Sequence, residues 1–451
     1  MKTEKLKQNV KGYVHQFEDG GLRLLRKGQK GVIHAIFSRF GLVLILLLLQ
    51  VGLLFSIFRW FGNLWPHYFG GSVVVTSAMV IYLLNSKMDN SAKITWMVVI
   101  AIAPVVGIPM FFYVKSNFGH NILRKRLLEL EDQLRGWLPQ SQKAVEQLKA
   151  LEPGAASLAK YLYGRGGGFP VYQNTAMTYF PGGEAKFEEL LRQLETAEEY
   201  IFVEYFIIDE GLMWGKILEV LARKALQGVD VRVMYDGTCE FSTLPRNYPR
   251  LLEKLNIQCK VFSPVQPFVS THYNYRDHRK ILVIDGRVGF TGGVNLADEY
   301  INHIQKHGRW KDAAVMLEGE AVRSLTAQFL QMWSILKEPE YEQFLTRPIP
   351  VPENAKGVAA PYGDCPLDGE RVGEMVYIDL LNRARDYIHI MTPYLILDGE
   401  LETALKFAAE RGVDVHLILP GKPDKQFPYA LAKSHYSALL DSGVKISEWS
   451  P

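Results

Sequence analysis

Residues 229–237 read VDVRVMYDG, and residues 413–421 read the closely similar VDVHLILPG. Each segment follows a helical stretch that ends in a glycine, Gly228 in the first copy and Gly412 in the second, and glycine commonly terminates helices. The first contains three valines and the second contains valine, leucine and isoleucine, which favours a strand buried on both faces. The chain therefore contains two copies of a helix–glycine–strand unit, and this repeat decides the fold.

The repeat extends to both sides of these strands. Upstream stand the apolar segments YIFVEYFIID (residues 200–209) and YIHIMTPYLILD (residues 387–398), and downstream each copy continues into a helix with paired leucines. A match over several elements in the same order argues against a chance recurrence of GVDV-type segments. Strands that alternate with helices pair in parallel and are covered by helices on both faces. We therefore predict two similar α/β/α lobes.

The first lobe continues after its repeat unit into HRKILVIDGRVGFTGGVN, residues 278–295. His278 and Lys280 are two residues apart, so on a strand their side chains point to the same face. An apolar strand then runs into a turn at Asp285, and a second strand returns to a glycine pair that ends at Gly293. Asn295 follows directly and is expected to return its side chain toward His278.

This pattern places an imidazole, an ammonium and an amide around a point that small glycines leave open. Such a group suits a tetrahedral phosphate, because Lys280 supplies a point charge while Asn295 and the backbone at Gly293 supply neutral donors. The imidazole of His278 can act as the nucleophile. Asp285 has two interpretations, turn former or partner of a ring nitrogen, and the sequence favours the turn former.

The spacing HxK, four residues, Asp, six residues, GGxN matches the motif of the phospholipase D superfamily, and the sequence resembles its cardiolipin synthase branch from about residue 72 to the last residue. The segments KITWMVVIAIAPVVGIPMFFYV, VEYFIID, RWKDAAVMLEGEAV and TPYLILD also look like segments of that branch. The resemblance implies that His278 attacks one phosphatidylglycerol, releases glycerol, and passes the phosphatidyl group to a second phosphatidylglycerol to give cardiolipin. It further implies that Lys280 and Asn295 bind the phosphate, that Asp285 supports the site, and that neither a cofactor nor a metal takes part.

Two further features of the first lobe bear on this site. Glu204 is a charged residue in an otherwise apolar strand, and it either orients His278 or an arginine or is simply a carboxylate near a strand end. The segment Trp310–Lys311–Asp312 follows the motif and is a candidate for the lipid entrance.

Three apolar runs precede the lobes. The first begins at Phe40 and carries no charge until Arg59, and the second spans residues 72–84. The third spans residues 94–114, where Pro104 and Pro109 are expected to kink the helix. The first and third are long enough to cross a hydrocarbon core. Almost forty residues precede the first run, which argues against a signal peptide. We therefore predict two or three transmembrane spans within residues 40–115 of a multi-pass protein of the cell membrane.

The charged residues that flank these spans do not determine their orientation. Residues 1–39 form a basic arm with nine lysines and arginines, and basic residues also follow the third run. The positive-inside bias then places both ends, and with them the lobes, in the cytoplasm, which requires an even number of spans. Either one run is re-entrant or interfacial, or the basic arm is an exception to the rule.

The second lobe lacks the motif of the first. In the first lobe His278 follows Phe262-Ser263-Pro264, whereas the equivalent Trp-Ser-Pro ends the sequence at Pro451. Three interpretations stay open: a fragment of a full synthase, a homodimer that builds one site from two copies, or a half-site that binds anionic lipid without catalysis. The predicted division of the chain is a basic arm (1–39), transmembrane segments (40–115), a helical connector (116–168), a first phospholipase D-like lobe (169–345) and a second, incomplete lobe (346–451).

Composition excludes some classes of function. The formal charge is only +3 and no stretch forms a concentrated basic groove, so a nuclease or another nucleic-acid partner is disfavoured. Cys239, Cys259 and Cys365 are too few and too far apart for a zinc site or a disulfide framework. A phospholipase or a phosphatidylserine synthase shares the same nucleophile and differs in the acceptor, which the sequence does not identify.

Overall fold

A computed structural model describes residues 15–16, 22–23, 65–88, 90–115, 118–263, 276–306, 308–365 and 367–450. The chain divides into two compact units, a larger one that contains residues 122–265 and 275–451 and a smaller one built mainly from residues 27–121. A short antiparallel ladder near the beginning of the chain joins β1 (His15–Gln16) to β2 (Leu22–Arg23).

The smaller unit contains three helices, α1 (Trp65–Leu84), α2 (Asn90–Ile102) and α3 (Pro104–Lys115). The second apolar run lies in α1. The third run, predicted as one kinked span, is instead divided into helices of 13 and 12 residues. The break falls just before Pro104, because a proline ring disfavours helical geometry in the residue that precedes it.

No helix in the described ranges is long and apolar enough to cross a membrane. The first apolar run, which begins at Phe40, lies outside the described residues. The transmembrane spans of residues 40–115 therefore stay a prediction.

The larger unit begins with three helices, α4 (Phe118–Arg135), α5 (Gln142–Leu151) and α6 (Pro153–Gly164), where a helical connector was predicted. Ser141 caps α5, since its hydroxyl accepts a hydrogen bond from the amide of Ala144 at 3.3 Å. The remaining helices are α7 (Gly183–Leu194), α8 (Leu212–Leu226), α9 (Cys239–Ser242), α10 (Tyr248–Glu253), α11 (Val322–Trp333), α12 (Tyr341–Leu345), α13 (Val372–Arg383), α14 (Gly399–Glu410), α15 (Gln426–Ser434) and α16 (Tyr436–Asp441).

The first lobe is built on a seven-stranded sheet in the order β3-β9-β8-β7-β4-β5-β6. The repeat segments form β4, β5 and β6, which pair in parallel as predicted. The other four strands pair antiparallel, an arrangement that the repeat did not predict. The strands are β3 (Thr175–Phe180), β4 (Tyr200–Tyr205), β5 (Asp230–Asp236), β6 (Gln258–Phe262), β7 (Lys280–Ile284), β8 (Val288–Gly292) and β9 (Ala314–Gly319).

Helices cover both faces of this sheet. Ile201 and Val203 of β4 are buried in one core with residues of α7 and α8. Phe202, on the opposite face, is buried against α11, where its ring stacks on Phe329 with centroids 4.4 Å apart. Because both faces are packed, every residue of β4 is buried, which explains its almost continuous apolar sequence.

The second lobe contains a parallel three-stranded sheet of β10 (Tyr387–Met391), β11 (Asp414–Pro420) and β12 (Lys445–Trp449). Its register repeats that of the first lobe, since Tyr387 pairs with Asp414 as Tyr200 pairs with Asp230. Val415 and its alternate neighbours are buried, but no residue of β10 or β12 is. The prediction of helices on both faces thus holds for the first lobe. In the described part of the second, Ile388, Ile390 and Ile446 are partly buried against one core, while the residues that alternate with them are exposed.

Candidate active site

The hairpin of β7 and β8 turns at Asp285 and Gly286, both of which have positive φ angles, 51° and 66°. The carboxylate of Asp285 accepts hydrogen bonds from the backbone amides of residues 198–200 at 2.8–3.0 Å. These bonds fix the hairpin to the beginning of β4. The turn lies at the opposite end of β7 from Lys280, so the geometry agrees with the turn-former interpretation and not with a ring-nitrogen partner.

The antiparallel register of β4 and β7 pairs Tyr205 with Lys280 and so places the motif at the carboxyl end of β4. His278 stands just before β7. The ammonium of Lys280 donates to the backbone oxygen of His278 at 2.6 Å and lies 3.3 Å from its Nδ1 atom. The expected meeting of the two side chains is therefore observed, and the ring of Phe206 packs on the imidazole with centroids 4.6 Å apart.

The electrostatic surroundings of His278 keep its imidazole neutral. Although the side chain reaches solvent, partial burial lowers its pKa to about 4, and the positive charges of Lys280 and Lys425 lower it further. Lys425 belongs to the second lobe, in the loop that follows β11. A neutral imidazole at neutral pH retains the lone pair that a nucleophile requires.

Lys280 is buried, with 6% of its surface exposed. Burial lowers the pKa of its ammonium to about 8, while the carboxylates of Asp312 and Asp277 oppose this effect. The site thus holds a cation that its protein surroundings only partly compensate. Such a cation is suited to an anionic ligand.

The glycine pair 292–293 allows the segment before β9 to approach the site. Gly292 has a φ of 137°, and a Cβ atom there would lie 2.6 Å from the carbonyl oxygen of Ala313. A Cβ atom on Gly293 would overlap the carboxylate of Asp312. The glycines therefore bring Asp312 next to the motif, whereas the sequence suggested an approach by a ligand at Gly293.

Asn295 is buried and its amide has protein partners on both sides. Its Oδ1 atom accepts a hydrogen bond from the amide of Ile207 at 3.0 Å, and its Nδ2 atom donates to the hydroxyl of Tyr300 at 2.8 Å. It thus holds the loop after β4, where Phe206 packs on His278. The Nδ2 group carries two hydrogens, so one donor remains for an incoming oxygen.

Glu204 is fully buried on β4, and the nitrogen of Arg279 lies 3.9 Å from its carboxyl group. Burial raises the pKa of Glu204 well above its ordinary value, and the neighbouring carboxylate of Asp277 raises it further against the opposing charge of Arg279. We infer that Glu204 keeps its proton and shares it with Asp277. Of the roles considered from sequence, contact with an arginine is the one the geometry supports.

A residue that the sequence did not indicate anchors the motif. The carboxylate of Asp236, at the end of β5, accepts hydrogen bonds from the amide of Asp277 at 2.9 Å and from that of Thr238 at 2.8 Å. Because Asp277 directly precedes His278, this links the end of β5 to His278. The repeat contained a weak signal, since the first copy has aspartate where the second copy has Pro420.

Lys186 of α7 is a second residue that the sequence did not indicate. It is 1% exposed, and its ammonium donates to the hydroxyl of Tyr205 at 2.9 Å. The helical spacing could have revealed it, since Lys186, Leu190 and Leu194 lie four residues apart on the buried face of α7. A lysine on such a face requires an explanation.

Two cavities adjoin the motif. One, of about 880 Å³, is lined by His278 and Lys280 together with residues of α11 and of the segment 360–374. The other, of about 390 Å³, is a groove between the two lobes that is lined by Trp310, Lys311 and Asp312 and by residues of β10 and β11. The predicted entrance residues therefore line a groove. One of them, Asp312, also acts on Lys280 through its charge.

Comparison with known proteins is consistent across the lobes. Residues 190–333 and 377–450 match the family described as "Cardiolipin synthase, PLD-like domain". The chain is 34% identical to a cardiolipin synthase of Geobacillus kaustophilus over 383 residues, which cover 83% of this chain and 74% of that protein. It is 56% identical to an uncharacterized protein of Streptococcus mutans over 373 residues, covering 82% and 80% of the two chains.

Solved structures show a more distant likeness. The phosphatidylserine synthase of Haemophilus influenzae is 14% identical with a TM-score of 0.44, covering 63% of this chain and 74% of that one. The protein NucT of Helicobacter pylori is 13% identical with a TM-score of 0.28, covering 35% of this chain and 96% of that one.

The hydrogen bonds of Asp285 predict a structural role. Replacement of Asp285 by alanine leaves three backbone amides without their acceptor and is expected to lower the free energy of unfolding by about 2–4 kcal/mol. Urea denaturation of the purified chain measures this change. The exposed Glu188, replaced by alanine, is the control and is expected to change stability by less than about 0.5 kcal/mol. Equal stability of the two variants would contradict the role of Asp285 in fixing the hairpin to β4.

The retained proton of Glu204 predicts a dependence of stability on pH. A carboxyl group with a raised pKa in the folded state binds a proton that the unfolded chain has lost, so stability falls as the pH rises above about 4.5. Glu204→Gln removes this titration and is expected to flatten the fall by up to about 1.4 kcal/mol per pH unit. Urea denaturation from about pH 5 to pH 8, with Glu188→Gln as control, measures the slope. An unchanged slope in Glu204→Gln would mean that the folded protein holds Glu204 ionised.

Proposed function

The chain belongs to the cardiolipin synthase family of phospholipase D-like phosphatidyltransferases, and from this we propose that it transfers a phosphatidyl group from one phosphatidylglycerol to another through His278. The products are cardiolipin and glycerol. The observation that carries the proposal is the contact between His278 and the buried Lys280, whose ammonium lies 3.3 Å from the Nδ1 atom of the imidazole. One group supplies the nucleophile and the other supplies a charge for the phosphate.

In the first step a ring nitrogen of His278 attacks the phosphorus of phosphatidylglycerol. A phosphorus–nitrogen bond forms, the phosphorus–oxygen bond to the headgroup glycerol breaks, and the glycerol oxygen leaves with the bonding electrons and takes up a proton. Negative charge accumulates on the phosphoryl oxygens, where Lys280 and the free Nδ2 hydrogen of Asn295 stabilise it. The result is a phosphatidyl-histidine.

In the second step a hydroxyl of another phosphatidylglycerol attacks the same phosphorus. This hydroxyl loses its proton, the phosphorus–nitrogen bond breaks, and the electron pair returns to the imidazole of His278. The proton taken up in the first step equals the proton released in the second, so the reaction as a whole is neutral in protons. Because no energy-rich donor is consumed, the enzyme exchanges one phosphodiester for another.

The cavities support a reaction between two lipids. The cavity of about 880 Å³ is lined by His278 and Lys280, and the groove of about 390 Å³ is lined by Asp312, whose charge acts on Lys280. The groove has an apolar lining that includes Trp310 and Trp449, while Arg309 and Lys422 supply cations. This composition is suited to an anionic phospholipid at a membrane surface.

The proton transfers require an acid and a base in addition to His278. Within the described residues, neither a hydrogen bond nor a ring contact joins His278 to a second histidine. A second motif is the source that the resemblance implies, and a homodimer would supply one by symmetry. A phospholipase or a phosphatidylserine synthase would use the same first step, with water or serine in place of the second lipid.

The nucleophile is tested by replacing His278. The purified full chain, supplied with phosphatidylglycerol in mixed micelles, is expected to form cardiolipin and glycerol, and His278→Ala is expected to lose this activity by on the order of 10³-fold or more. Thin-layer chromatography of the extracted lipids measures both. The half-buried His416 of β11, which lines neither cavity, is replaced by alanine as the control and is expected to keep full activity.

Two results would contradict the proposal. Equal cardiolipin formation by the wild type and His278→Ala would remove His278 from the reaction. Formation of phosphatidic acid alone, or of phosphatidylserine once serine is added, would keep the nucleophile and replace the acceptor.

The groove is tested by charge reversal. Arg309→Glu combined with Lys422→Glu removes the cations that attract an anionic headgroup and is expected to raise KM for phosphatidylglycerol by about 10-fold, with little change in kcat. The effect should shrink as salt is added, because salt screens exposed charges. Lys160→Glu on α6 is the control. An unchanged KM, or a change confined to kcat, would show that the lipid does not bind through the groove.

A further inference from the structure

Lys186 is a buried cation that the proposed chemistry leaves unused. Apart from its hydrogen bond to Tyr205, its ammonium has only the carbonyl oxygen of Val294 nearby, at 3.5 Å. Within the described residues no carboxylate forms an ion pair with it. Burying an ammonium without a counter-charge is costly, so a fold that keeps Lys186 in this place is expected to use it.

The charged groups that act on Lys186 belong to the active site. Tyr205 of β4 faces it as a neutral phenol, Lys280 of β7 as a cation and Asp312, before β9, as an anion. Burial lowers the pKa of Lys186 to about 7, the charge of Lys280 lowers it further, and that of Asp312 opposes them. Asp312 in turn interacts with both lysines.

Asp312 therefore acts on both lysines, whereas Asp277 acts only on Lys280 of the two and also interacts with the charge of Arg279. With both lysines protonated, the buried cluster carries an excess positive charge. Release of the proton of Lys186 removes this excess at the lowest cost in free energy. An anionic phosphate beside Lys280 supplies the missing negative charge. Lys186 can then hold its proton without excess charge.

We propose that Lys186 is the residue that takes up a compensating proton when a phosphate enters the His278–Lys280 site. This inference rests on the proposed function only in placing the phosphate beside Lys280. Lys186 is thus a positioning residue, since it acts on the phosphate through the cluster of Lys280 and Asp312. Its protonation couples lipid binding to pH near neutrality.

Sulfate is a suitable probe, because it is tetrahedral and does not titrate near neutral pH. Calorimetric titration of the purified full chain with sulfate, in two buffers of different ionisation enthalpy, gives the number of protons taken up per bound anion. At pH 7 a lysine with a pKa of about 7 is half protonated, so the wild type is expected to take up about half a proton. At about pH 6 the lysine is already mostly charged, so uptake should fall to about a tenth.

Substitution separates Lys186 from Lys280. Lys186→Met is expected to bind sulfate with an uptake of about a tenth of a proton at pH 7, because Lys280 is already mostly protonated there. Lys224 of α8, buried with its ammonium on the carbonyl oxygens of Glu195 and Ala197, is the matched control. Lys224→Met should retain the wild-type uptake.

The outcomes distinguish this inference from the proposed function. Sulfate binding that Lys280→Met leaves unchanged would remove the phosphate site, and with it the proposed function. Sulfate binding that requires Lys280 but is accompanied by no more than about a tenth of a proton in the wild type at pH 7, the share expected from Lys280 by itself, would overturn the role of Lys186 alone. The wild-type measurement decides the matter even if Lys186→Met does not fold, and equal uptake in a folded Lys186→Met would also refute the inference.

Discussion

The hydrogen bonds from the backbone of residues 198–200 to Asp285 hold in place the hairpin that carries Lys280. They join the β7–β8 hairpin to the beginning of β4 and so set the antiparallel register that pairs Tyr205 with Lys280. A shift by one residue would turn each side chain of β7 to the other face of the sheet. His278 and Lys280 reach the cavity that they line because the carboxylate of Asp285, at the far end of β7, stabilises this register.

Once the register is fixed, the protonation of the site and its attraction for an anion depend on the charges around it. Lys280 and Lys186 are buried cations with Asp312 as the carboxylate that acts on both, and the charge of Lys425 reaches His278 from the second lobe. The protein therefore keeps the imidazole neutral and leaves positive charge uncompensated. A phosphate diester is suited to this site, since it offers an electrophilic phosphorus to the neutral imidazole and a negative charge to the lysines.

The sequence predicted the parts of the fold that depend on local pattern. The repeat identified β4, β5, β10 and β11 and their parallel pairing, because Gly228 and Gly412 end helices and the strands that follow are continuously apolar. The two-residue spacing predicted the meeting of His278 and Lys280. These inferences succeed because each depends only on residues that lie close together in the sequence.

Contacts between distant segments were not predictable in this way. The antiparallel pairing of β7 with β4, the anchoring by Asp236 and the positions of Lys186 and Asp312 join segments that lie far apart in sequence. Gly293 was expected to admit a ligand, and the structure places Asp312 against it instead. The break before Pro104 was foreseen as a kink, but the two helices it separates were not.

The central claim is that His278 forms a covalent bond to the phosphatidyl group. It is tested most directly by rapid quenching of the chain during turnover with phosphatidylglycerol labelled in its phosphate, followed by proteolysis in alkaline buffer and mass spectrometry of the labelled peptide. We predict an acid-labile label on the imidazole of His278, which chases into lipid when unlabelled phosphatidylglycerol is added. A chain that turns over while its label is found on another residue, or on none, would contradict the account.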